Sequence, residues 1–168
     1  MSLSAAAESL SALLRERGLH LVLAESCTGG LVAASLAAIP GISRWFCGSA
    51  VTYREATKVA WLGVDGELIL RHSAVSRAVT HAMAVRVLAE TPEATVSIAV
   101  TGHLGPDAPP TLEGRLFLAM AWREPGETRA ETRDFRLRSS GRRERQREAA
   151  EIALTEATRF FHDLQIRE

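Results

Sequence analysis

The stretch LHLVLAESCTGGLVAASLAAI, from Leu19 to Ile39, decides how this chain is read. Leu19 to Ala24 is a short apolar run of the kind that forms a buried strand. Glu25-Ser26-Cys27-Thr28-Gly29-Gly30 interrupts it with small polar residues and two glycines. Leu31 to Ile39 then resumes with helical composition until Pro40-Gly41 stops it. Strand, small-residue turn and helix in succession place the hexapeptide at the carboxyl edge of a sheet, where open α/β folds bind ligands.

Elements on either side extend the same alternation. Ser4 to Arg17 predicts an amphipathic helix with Leu10, Leu13 and Leu14 inward and Gly18 at its end. Trp45 to Tyr53 reads as a second strand and Arg54 to Leu62 as a short helix closed by Gly63. Glu67 to His72 adds one further turn, and Ser76 caps a helix running to about Glu90, with Pro92 just beyond. Thr95 to Thr101 (TVSIAVT) is the clearest strand, rich in β-branched residues. The loop from Gly102 to Gly114 contains Gly105-Pro106 and Pro109-Pro110 and is expected to be irregular. Leu116 to Trp122 and Thr128 to Leu137 form a hairpin around Pro125-Gly126, and Arg142 to about Leu164 is one long helix. The order predicts an α/β domain, a mixed sheet between helix layers, spanning residues 1–168 as one unit.

Composition limits the functions open to it. Lys+Arg 20 balance Asp+Glu 20, so no global field would hold a polyanion, which disfavours nucleic-acid binding. No stretch has the length of a membrane span, and the N-terminus lacks a basic region followed by an apolar core. Cys27 and Cys47 have neither metal-ligand nor redox spacing and read as thiols of a cytoplasmic protein. The five histidines are scattered without zinc spacing, so no metal site is expected.

One lysine and one tyrosine occur in the chain, Tyr53 and Lys58; every other basic side chain is arginine. An amine can lose its proton near neutral pH and act as a base, which a guanidinium cannot do. A compositional bias against lysine would leave the same pair by accident. Ser26 is the candidate nucleophile, Lys58 the base that activates it, and Tyr53 a phenol bridging the two. The glycines Gly29 and Gly30 let a ligand approach, and backbone N–H groups from Thr28 to Gly30 would hold an oxyanion. Two alternatives stand beside this. Ser26 and Thr28 could simply cap the following helix, and Cys27 is a competing nucleophile, although its side chain should point away from that of Ser26 into the core.

Taken together, Glu25 to Gly30, Tyr53 and Lys58, Leu62-Gly63-Val64, Ala74-Val75-Ser76 and Ala99-Val100-Thr101-Gly102 resemble, in this order, the CinA C-terminal domain family. The resemblance runs from about residue 4 to 164. It implies a three-layer α/β/α sandwich and a nicotinamide-nucleotide amidase. The reaction would turn nicotinamide mononucleotide into nicotinic acid mononucleotide and ammonia without a cofactor. Ser26, Tyr53 and Lys58 would be catalytic. Cys27, Thr28, Gly29, Gly30, Thr101, Gly102, Gly105 and Arg143 would bind the substrate, a small-molecule nucleotide. Arg143 enters this set because Gly141-Arg142-Arg143 is similar to the family's Gly-x-Arg at the start of the last helix. A homodimer is compatible with the aromatic residues Trp45, Trp61, Phe160 and Phe161, which suit core or subunit-contact positions.

Two stretches depart from the family pattern. His103-Leu104-Gly105-Pro106-Asp107-Ala108-Pro109-Pro110 stands where an apolar pair, Gly-Pro and further glycines are typical, and Asp107 brings a negative charge. Arg54-Glu55 follows Tyr53 where Ser-Asn is common. These changes leave open a second reading, a catalytically silent or re-specified nucleotide-binding relative. An oxidoreductase with a Tyr/Lys pair would need a different spacing and a glycine fingerprint that is missing.

Overall fold

The computed structural model describes residues 2–165. Its centre is a five-stranded sheet in the order β2-β1-β3-β4-β5, formed by Phe46–Val51, Leu21–Glu25, Val96–Gly102, Arg115–Glu124 and Glu127–Arg136 respectively. β1 runs parallel to both β2 and β3, whereas β3–β4 and β4–β5 are antiparallel, so the sheet is mixed.

Strand periodicity sorts the side chains into two layers. Leu21 and Leu23 of β1, with Val96, Ile98 and Val100 of β3, face α1 (Leu3–Arg17), α2 (Leu31–Ala37) and α6 (Arg142–Asp163). Val22, Ala24 and Ala99 face the opposite layer of α3 (Glu55–Leu62), α4 (Gly66–His72) and α5 (Arg77–Ala89). The fold is therefore an α/β sandwich of three layers. Among the described residues no helix is long and apolar enough to cross a membrane.

Boundaries differ from the sequence expectation in ways that matter for the site. Trp45 closes a 3-10 turn instead of opening β2, and its ring packs on His20 at 5.6 Å. Tyr53 lies beyond the end of β2, which stops at Val51. α4 forms from Gly66, with the Asp65 carboxylate accepting from the Glu67 amide as its cap, so the expected single turn becomes a seven-residue helix. Phe160 and Phe161 are buried in the α6 layer, whereas Trp61 is exposed.

Candidate active site

The alternation that builds the two layers continues past the end of β1 and divides the turn. Glu25 falls on the α2 side, Ser26 on the α3 side, and Cys27 on the α1/α6 side within the core. Lys58 sits in the middle of α3 with its stem directed inward, and only 1% of its surface is exposed. Its Nζ lies 3.0 Å from Ser26 Oγ and donates to the Thr52 carbonyl at 2.7 Å. No carboxylate among the described residues pairs with it. Burial therefore lowers its pKa from the ordinary lysine value, opposed only in part by the Cys27 thiol and by Glu55. In the neutral amine the Thr52 carbonyl occupies one N–H, leaving a lone pair able to accept the Ser26 hydroxyl proton.

In the sequence Glu25 marks only the start of the turn, yet it holds the whole segment. One carboxylate oxygen accepts from the Thr28 hydroxyl at 2.7 Å and from the amides of Gly30 and Val32 at 3.0 and 3.1 Å. The other accepts from the Ala33 amide at 2.9 Å and the Ser49 hydroxyl at 3.2 Å. The cap of α2 is thus this carboxylate, not Ser26 or Thr28. Gly30, at φ 96°, supplies no side chain for the purpose. A signal was present in the sequence: an acid in phase with Leu21 and Leu23 must be buried and needs donors.

The remaining candidates are placed as follows. The Gly29 amide donates to the Ser26 carbonyl at 3.0 Å and the Gly30 amide to Glu25, so both are occupied. Among the described residues the amides of Cys27 and Thr28 have no hydrogen-bond partner, and they flank the turn nearest Ser26. The Cys27 thiol is pushed up to about 12, chiefly by burial and further by the Glu25 charge. It is a poor nucleophile at neutral pH. Thr28 is fully buried and its hydroxyl is taken by Glu25. Thr101 is also fully buried, its Oγ1 lies 2.7 Å from that of Thr80 on α5, and it does not line the cavity that holds Ser26.

Tyr53 does not bridge Ser26 and Lys58. It is 54% exposed, and its phenol oxygen accepts from Arg142 Nη2 at 2.7 Å. Arg142 Nη1 also donates to the Gly105 carbonyl at 2.5 Å, so the guanidinium spans the mouth of a cavity of about 350 Å³. Ser26, Cys27, Tyr53, Gly102, His103, Gly105, Asp107 and Arg142 all line this cavity; Arg143 does not, and is exposed. Burial lowers the His103 pKa from the ordinary histidine value, which favours the neutral ring. A larger recess of about 790 Å³ between α5 and the β4–β5 hairpin is lined by Thr132 and by His81, which is exposed. Among the described residues no cluster of His, Cys, Asp or Glu is arranged to hold a metal ion.

Residues 3–161 match the CinA C-terminal domain family. The chain belongs to that family. It is 42% identical over 136 residues to a CinA-like protein of Myxococcus xanthus, covering 80% of this chain and 31% of that protein. A CinA-like protein of Syntrophotalea carbinolica is 38% identical over 163 residues, covering 94% of this chain and 37% of the relative. The chain thus spans about a third of the length of these curated relatives. Among solved structures, the competence damage-inducible protein A (ComA) of Klebsiella pneumoniae superposes with a TM-score of 0.87 at 28% identity. That superposition covers 98% of this chain and 100% of the other. The competence/damage inducible protein CihA of Agrobacterium tumefaciens gives a TM-score of 0.86 at 31% identity, covering 96% of each chain.

Proposed function

We propose that this CinA-family domain is an amidohydrolase that hydrolyses the carboxamide of nicotinamide mononucleotide, giving nicotinic acid mononucleotide and ammonia. It would act as a single catalytic unit in cytoplasmic pyridine nucleotide salvage. The observation that carries this reading is the 3.0 Å contact between the buried amine of Lys58 and the Ser26 hydroxyl. A buried lysine without a carboxylate partner costs stability. Retaining the chain's sole lysine at such a place suits a base.

The steps follow from that contact. Neutral Lys58 accepts the Ser26 proton as Oγ attacks the amide carbon. The amides of Cys27 and Thr28 donate to the developing oxyanion, a role that preorganised backbone N–H groups fill well. The protonated Lys58 returns its proton to the departing nitrogen, and ammonia leaves an acyl ester on Ser26. Water, deprotonated by the same amine, cleaves the ester and restores the serine. Glu25 keeps the turn in place throughout, and Tyr53 bounds the substrate cavity without relaying this proton.

Ammonia release from nicotinamide mononucleotide by the purified protein, with Ser26→Ala as the control, is the direct test. Turnover that persists in Ser26→Ala, or its absence in the parent protein, removes the proposal.

A further inference from the structure

The cavity above Ser26 carries two opposite charges that are not neutralised by each other. Arg142 donates only to neutral acceptors, the Gly105 carbonyl and the Tyr53 phenol. Its neighbour Arg145, by contrast, is paired with Glu113 at 2.5 Å. Arg142 is also the first residue of the 22-residue helix α6, so the helix dipole adds to its positive field. On the loop that forms the cavity's other wall, the exposed Asp107 carboxylate has no hydrogen-bond or ion-pair partner among the described residues. His103, in the same wall, tends toward its neutral form because of burial and does not cancel either charge.

A purely anionic ligand would meet attraction from Arg142 and repulsion from Asp107, and a purely cationic one the reverse. A zwitterion satisfies both. We infer that Asp107 and Arg142 are the two poles of a specificity site for an amide whose ring is cationic and whose distal end carries an anionic group. This deepens the amidase reading and rests on it. An N-substituted pyridinium carboxamide with a phosphate tail has that charge pattern. With its carboxamide at Ser26, the ring cation lies nearer the Asp107 wall and the phosphate replaces the Tyr53 phenol or the Gly105 carbonyl on Arg142. The negative charge in the loop is then a recognition element for the ring, not an obstacle to the phosphate. The family-position arginine, Arg143, is outside the cavity, so the neighbouring Arg142 takes the anion in this chain.

Three amides separate the poles: nicotinamide mononucleotide (cation and phosphate), nicotinamide riboside (cation alone) and nicotinamide (neither). Asp107→Asn is expected to lower kcat/KM for the two cationic amides relative to nicotinamide by about tenfold, with Asp107→Glu largely restoring the ratio. Arg142→Gln is expected to lower the preference for the mononucleotide over the riboside by about tenfold, with Arg142→Lys recovering part of it. Unchanged ratios in an active enzyme overturn the two-pole site and leave the amidase standing. If the parent protein turns over none of the three, the amidase reading fails. Calorimetric titration of the same compounds then decides the poles: discrimination lost in the two variants supports them, and equal or absent binding in the parent overturns them.

Discussion

Replacing Glu25 with glutamine changes one oxygen to an amide nitrogen and little else in shape. The carboxylate receives five hydrogen bonds, three on one oxygen and two on the other. The new amide group does least harm at the two-bond end, where it confronts the Ala33 amide, a donor with nowhere to turn. The Ser49 hydroxyl can rotate and accept instead. One bond to a charged acceptor is lost, the part-buried Ala33 amide is left unsatisfied, and the other three bonds pass to a neutral oxygen. With hydrogen bonds to charged groups contributing roughly 1.5–3 kcal/mol each, the expected loss is about 2–4 kcal/mol. In urea unfolding at pH 7 followed by circular dichroism, that corresponds to a midpoint lowered by about 1–2 M. The folded fraction of the variant should also lose turnover, because the amides of Cys27 and Thr28 and the Ser26 rotamer depend on the same turn. A destabilisation below about 1 kcal/mol with undiminished ammonia release would refute the assignment of Glu25 as the anchor of the turn.

Further outcomes follow from the same geometry. Lys58→Arg keeps the charge but not the basicity, and turnover should fall by roughly 10²–10⁴-fold; full activity would eliminate the base role. On the proposed mechanism, kcat/KM of the parent protein should rise with pH through the lowered Lys58 pKa, since only the neutral amine accepts the Ser26 proton. Lys58 has its ordinary pKa when unfolded and a lower one when folded, so between the two the unfolded chain binds more protons and stability rises with pH. Lys58→Met removes that dependence, so its stability advantage over the parent should be greatest below the folded pKa and shrink as pH rises toward 10.5; denaturant titrations across that range check it. Cys27→Ala should retain activity within several-fold, and native Cys27, its thiol held at about 12, should resist iodoacetamide at pH 7.5 by mass spectrometry.

The parts of the site legible in advance were those fixed by chain-local chemistry. Ser26 at a strand-to-helix turn follows from an apolar run broken by small residues. Lys58 stood out because it is the only amine among twenty basic side chains. Glu25 was missed because a carboxylate beside a turn usually faces water. Here strand parity turns it under α2, where donors from residues 28 to 49 converge. Tyr53 was expected between serine and lysine because it is near Lys58 in sequence. β2 ends at Val51, however, and the phenol lies outside, against a helix 89 positions away. Thr101 belongs to the Ala-Val-Thr-Gly motif, but its hydroxyl is engaged by Thr80 on α5 and is absent from the cavity lining.

What the sequence alone determined is the alternation of elements, the strand–turn–helix unit and the candidates for nucleophile and base. These depend on periodicity and on the intrinsic chemistry of single side chains. Only the tertiary structure decided which groups meet. The partner of Lys58, the burial that lowers its pKa, and the arginine that reaches the cavity all depend on distances between segments far apart in the chain. The pattern of each segment carries no information about those distances until the sheet order and helix packing fix them.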